Sequence, residues 1–137
     1  MKSVNQKARA VLHQLAEMAE ANGGHIKIDN GPGFMPVHVE HIGNNCMSVA
    51  HYGEQNGDAM RDPEIVFWEG ADLGWYPVSY RNDYLGINRE AVTEWDGARP
   101  KSYLPREQAD EAVFSGTWMD NISQQQGLSL TGKPVPA

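Results

Sequence analysis

One cysteine, Cys46, is the whole thiol inventory of this 137-residue chain. It cannot staple the domain through an internal disulfide and supplies no cysteine-based zinc set, so a reduced cytosolic setting is the simplest reading. Long apolar runs are also missing. No stretch approaches the roughly 20 apolar residues of a membrane span, and the basic N-terminal segment lacks the apolar run of about 7–15 residues that marks a signal peptide. Basic charge is scarce: 11 Lys and Arg against 18 Asp and Glu leave a net charge of −7. That balance argues against a fold that grips nucleic acid by direct electrostatic binding. Catalytic signatures are absent as well. The chain has no Gly-x-Ser-x-Gly elbow, no phosphate-binding glycine loop or dinucleotide fingerprint, and no helical pair of histidines at i, i+4. Neither a cofactor nor a bound metal is expected, and the reading leans away from an enzyme.

What remains is a globular composition. Hydrophobic residues make up 40% and charged residues 21%, which excludes a fully disordered chain. The length suits one domain, and 14 Gly with 8 Pro argue against a plain helical bundle. From Ser3 to about Ala21, the apolar residues Val4, Ala8, Val11, Leu12, Leu15 and Ala19 recur on one helical face, and Ser3 with Gln6 forms a capping-box pattern. Asn22-Gly23-Gly24 ends that helix. Strands are expected at His25–Asp29, Met35–Ile42 and Cys46–Tyr52. A three-residue hairpin, Gly43-Asn44-Asn45, would set Val39 opposite Val49 and His41 opposite Met47. Further strands are expected at Glu64–Trp68, at Trp75–Tyr80 (with Pro77 marking an edge) and at Ala91–Trp95.

Pro105 opens a second helix to about Gln125, with Ala109, Ala112, Val113, Met119 and Ile122 inward and Phe114 and Trp118 widening the stripe. Gly116 inside it costs roughly 1 kcal/mol against alanine and points to a close approach there. Short connections require antiparallel pairing. The fold expected is therefore α+β: an antiparallel sheet of five or six strands with both helices on one face, over residues 1–127, and a disordered tail at 128–137.

Charge is concentrated. Residues 50–72 hold Glu54, Asp58, Asp62, Glu64, Glu69 and Asp72 against Arg61 alone, net −5 of the total −7. The polar density of residues 51–64 reads as a connecting loop between two core strands. The candidate binding residues lie there: His51, Tyr52, Glu54, Asn56, Asp58, Asp62 and Glu64. Carboxylates of this kind suit hard cations, but the spacing is not that of a calcium-binding loop. No lysine lies between Lys27 and Lys101 to complete a nuclease of the acidic-pair-plus-lysine type. An ordered hairpin connection accounts for the pattern more simply, with Asn56-Gly57-Asp58 as turn chemistry and Arg61 paired with a neighbouring carboxylate. The aromatic residues of 67–103 (Phe67, Trp68, Trp75, Tyr76, Tyr80, Tyr84, Trp95 and Tyr103) read first as core and rim, and second as a recognition face.

The block from Ser48 through Asp58, continued by Met60, Asp62-Pro63-Glu64 and Phe67, is specific in its order. With Val37-His38-Val39-Glu40 before it and Tyr84-Leu85-Gly86-Ile87 after it, it resembles a domain-of-unknown-function family of small proteins encoded by bacteria, phages, plasmids and integrative elements. The resemblance implies an accessory protein of mobile elements and makes 51–64 the stretch for any shared role. Three functions are expected from the combined reading. The first is a binding module acting through contacts with another protein, without membrane attachment. The second is a small metal-dependent hydrolase or nuclease built on the 54–64 acids. The third is an acidic decoy of a nucleic-acid-binding host protein.

Overall fold

The first helix, α1 (Gln6–Ala21), begins at an asparagine rather than at the expected serine. The Asn5 side-chain oxygen accepts from the Ala8 N–H at 2.8 Å, a cap worth about 1 kcal/mol. The Ser3–Gln6 box does not form, because Val4 is already committed elsewhere. Its side chain is in the core and its N–H donates to the Trp75 carbonyl at 2.9 Å. The computed structural model describes residues 1–128; the expected tail lies outside the described residues except for Leu128, which is buried in the core.

Six strands follow as one antiparallel meander in chain order: β1 (His25–Ile28), β2 (Val37–Gly43), β3 (Cys46–Gln55), β4 (Asp58–Glu69), β5 (Trp75–Asn82) and β6 (Ile87–Glu90). Val39 does face Val49, and His41 faces Met47. The β2–β3 loop is nevertheless shorter than expected. Gly43 pairs with Cys46, so Asn44 and Asn45, at φ 53° and 59°, make a two-residue turn, and a bulge between His41 and Gly43 takes up the extra residue.

The largest correction concerns residues 51–64, which are not a loop. β3 continues to Gln55 and β4 starts at Asp58, joined at Asn56 and Gly57 with φ 54° and 84°. The reason is visible in the neighbours. β2 pairs with β3 only through Ala50, and β5 pairs with β4 only from Glu64 onward. Beyond those points the ribbon has no layer over most of its length, so its side chains need not alternate between apolar and polar.

Pro77 sits in an interior strand, yet locally behaves as at an edge. β6 pairs only with Ser79–Asn82, and the β4–β5 register shifts between Val66 and Phe67, where Phe67 faces Pro77. The missing N–H therefore removes no bond to β6. The sixth strand is Ile87–Glu90 rather than Ala91–Trp95. Val92–Asp96 (β7) instead pairs with Arg99–Tyr103 (β8) in a separate hairpin whose turn includes Gly97. Through Val92 it covers Cys46, Val66 and Val78, and the Trp68 indole N–H donates to the Ala98 carbonyl at 2.9 Å.

The second helix, α2 (Pro105–Gln125), has the bounds expected. Both helices pack on one sheet face, in a core with Val37, Val39, Met47, Val49, Ile65 and Phe67. Each large side chain fully buried there contributes about 1.5–3 kcal/mol. The inward stripe of α2 is rotated from the expected one. Ala112, Trp118, Met119 and Ile122 are buried, but so are Gln108, Glu111, Ser115 and Ser123, while Val113 is 60% exposed. Gly116 meets the N-terminus of α1: a Cβ on it would lie 2.6 Å from the Asn5 amide nitrogen. No helix among the described residues is long and apolar enough to cross a membrane.

Candidate functional site

The β3–β4 arm carries all seven candidate residues, but distributes them over two faces and a tip. His51 is buried on the helix side. Its Nδ1 lies 3.0 Å from the Pro36 carbonyl and its ring meets Trp118 edge-on at 5.7 Å. It joins the arm to α2 and is not open to a partner. Tyr52 follows on the opposite face, edge-on to His38 at 5.0 Å. Burial raises its phenol above the usual range, and the Glu64 carboxylate adds to the rise.

Glu54 points into solvent, while its backbone carbonyl accepts from the Tyr84 hydroxyl at 3.3 Å. The Tyr84 ring lies against Gly53, where any Cβ would collide with it. Asn56 and Asp58 are exposed at the turn. Asp62 accepts from the Asn82 amide at 3.3 Å.

Glu64 belongs to a different group. Its Oε2 accepts from the Ser48 hydroxyl at 2.7 Å, and its Oε1 lies 3.4 Å from Arg81 Nη1 and 3.8 Å from Arg61 Nη1. Arg81 also donates to Ser79 and ion-pairs with Glu90. The register explains how Arg61 and Glu64 share a face. Ala50 faces Glu64 and Tyr52 faces Arg61, so β4 holds one extra residue at a bulge opposite His51. The candidates therefore do not converge on a cleft. Among the described residues, no three His, Cys, Asp or Glu side chains group to hold a metal ion.

Arg61 pairs with a carboxylate as expected, but its main partner comes from outside the acidic stretch and positions the arm. Asp83, in the β5–β6 turn, accepts from Arg61 Nε and Nη2, each at 3.0 Å, and from the Arg61 backbone N–H at 2.8 Å. In return the Asp83 N–H donates to the Arg61 carbonyl at 2.9 Å. This two-pronged pairing holds the Asp83 carboxyl below the usual carboxylate range. The only sequence signal was an isolated acid before Tyr84. The result is an arm fixed at its base, with Glu54 and Asp58 outside every ion pair among the described residues.

The aromatic residues divide. Phe67 and Trp75 are buried, Trp68, Tyr76 and Tyr80 half-buried, and Tyr84, Trp95 and Tyr103 exposed. On the helix side Tyr80, Phe114, Trp118 and His51 form a continuous row, each ring about 6 Å from the next.

Neither the curated proteins nor the solved structures offer a match to this chain. A family model described as "Domain of unknown function (DUF6908)" does match, over residues 6–128, which takes in both helices, the sheet, the β7–β8 hairpin and the whole arm. The chain belongs to that family.

Proposed function

We propose that this chain is a non-enzymatic binding module that meets another protein through the β3–β4 arm. The observation that carries the reading is the arm's geometry. Residues 51–63 run past both neighbouring strands, are pinned at the base by Arg61 and Asp83, and hold Glu54 and Asp58 outside every ion pair among the described residues. A ribbon fixed before contact loses little further conformational entropy on binding. Its free carboxylates favour a partner with a basic surface, and rim charges of this kind act mainly on encounter rate and salt dependence. The resemblance to small proteins of phages, plasmids and integrative elements supports an accessory role in such elements.

The test is affinity capture by the full chain from cells that encode it, beside E54K/D58K and with circular dichroism to check folding. A partner that the native chain retains, that added salt weakens and that the charge-reversed chain loses would support the reading. Equal capture by both folded proteins, or none by either, would overturn it.

A further inference from the structure

Glu111 is buried where its charge has no reason to be. It faces inward from α2, is 6% exposed, and neither carboxyl oxygen has a hydrogen-bond partner or access to solvent. The helical row that places it there is Gln108, Glu111, Ser115, Trp118 and Ile122, all buried. Its neighbours on that row are accounted for. Gln108 bridges to the Lys2 backbone through both its oxygen and its nitrogen, at 2.7 Å each, and the Ser115 hydroxyl donates to the Glu111 carbonyl. On this row the Glu111 carboxyl is left without any contact of this kind, as the Gln14 amide is on α1. An unpaired buried polar group destabilises the folded chain, and more so when charged.

Glu111 is one of the residues lining a cavity of about 260 Å³ between α2 and the β5–β6 edge, with its carboxyl oxygens enclosed behind the cavity surface. Tyr80, Ile87 and Phe114 form its apolar walls, and the Tyr80 and Phe114 rings meet edge-on at 5.8 Å. The charges at its mouth are Glu107 and Asp110 from α2 and Arg89 from β6. Burial pushes the Glu111 carboxyl up to about 8. The negative charges of Glu107 and Glu90 add to this, and Arg89 opposes it. The surroundings thus disfavour a further negative charge and favour a positive one.

We propose that this cavity is a binding site for an organic cation, an alkylammonium or alkylguanidinium group on a short apolar stem. The two unpaired oxygens of Glu111 accept its N–H groups, and the stem lies between Tyr80, Ile87 and Phe114. Aromatic walls suit a cation, which the negative face of each well-placed ring attracts. At about 30 Å³ per water-sized unit, the space holds about eight non-hydrogen atoms, the size of butylguanidinium. An anion would meet Glu107 and Asp110 at the mouth with only Arg89 in its favour. For the cation to reach the enclosed oxygens, Phe114, the exposed wall at 42%, must turn aside. Binding ionises Glu111, so its proton leaves to buffer as the cation enters. The same chemistry is offered by a free amine or guanidine and by a lysine or arginine side chain of another protein. The site stands independently of the arm.

The experiment is isothermal titration of the full chain at pH 6.5 with butylguanidinium, butylammonium and hexanoate, each repeated in two buffers of different ionisation enthalpy. The expected result is binding of both cations with release of close to one proton per site, fading above pH 8, and no binding of hexanoate. E111Q, which keeps the shape of the side chain, is expected to bind at least tenfold more weakly. A second probe, the capped tripeptide Gly-Arg-Gly, separates the sources: its binding assigns the site to a side chain of another protein, and its failure beside a bound butylguanidinium assigns it to a free cation. Binding without proton release, hexanoate binding, undiminished binding by folded E111Q or no cation binding at all would each overturn the proposal. The proton count uses only the native chain, so the test survives even if E111Q fails to fold.

Discussion

Substituting Glu111 by glutamine should change how stability depends on pH, and change it in one direction. The native carboxyl holds its proton up to about pH 8, whereas in the unfolded chain it titrates near the ordinary 4.5. Between those values the folded state binds a proton that the unfolded state has released, so stability falls as pH rises. The contribution is fully present below about pH 4.5, declines through the interval and is gone above about pH 8. At about 1.4 kcal/mol per pH unit the whole span is about 5 kcal/mol, a large share of the roughly 5–15 kcal/mol that holds a domain together. Movement of Arg89 toward the ionised carboxylate would relieve part of it, so this is an upper limit.

His38 works in the opposite sense over part of the same range. Burial, and then the Lys27 and His51 charges, lower its value below 6.5, and its contribution grows as pH rises toward 6.5. Comparing the native chain with E111Q cancels that term. Urea unfolding followed by circular dichroism at pH 5, 7 and 9 is the assay. E111Q should match or fall slightly below the native chain at pH 5 and exceed it by several kcal/mol at pH 9. Parallel stability curves would refute the reasoning, because they would mean that the Glu111 carboxyl is solvated or paired in the folded protein.

Gly116→Ala should fail to stabilise, although alanine is the better helix former by about 1 kcal/mol. The new Cβ would press on the Asn5 amide 2.6 Å away and disturb the α1 cap, which is worth a similar amount. In an Asn5→Ala background the same change should become stabilising by up to about 1 kcal/mol, and urea midpoints of the four proteins decide it; the same sign in both backgrounds would refute the contact. Cys46, buried with its thiol pushed up to about 11, should react with a disulfide reagent at pH 8 only at the rate of unfolding. Reaction as fast as that of a free thiol, in buffer without denaturant, would show that the Val66, Val78 and Val92 layer over it opens readily.

The helices and the core strands were legible because hydrophobic spacing is a direct image of burial. Val39 faces Val49 since only that pairing puts both toward α1 and α2, and the α2 bounds follow from Pro105 and Gly127. Two places defeated the same logic, for opposite reasons. In the arm, strands read as a loop because a ribbon with no layer over most of its length has no periodicity to display. In α2, hydrophobic spacing does not reveal Glu111 and Gln108 as inward residues because burial there is carried by polar side chains, and it points Val113 inward although Val113 faces water. That Asp83 is the partner of Arg61 is hidden for a third reason, since residues 22 apart reveal no contact until the β4–β5 register is known. Hydrophobic pattern reports where folding is consistent at every level, and departures from it gather at residues kept for something other than folding. An arm that buries little and an acid that is buried without a partner are both costs to stability that the remaining core must offset. They are two features of this fold that packing alone does not account for, which is why the binding surface and the cation site are proposed there.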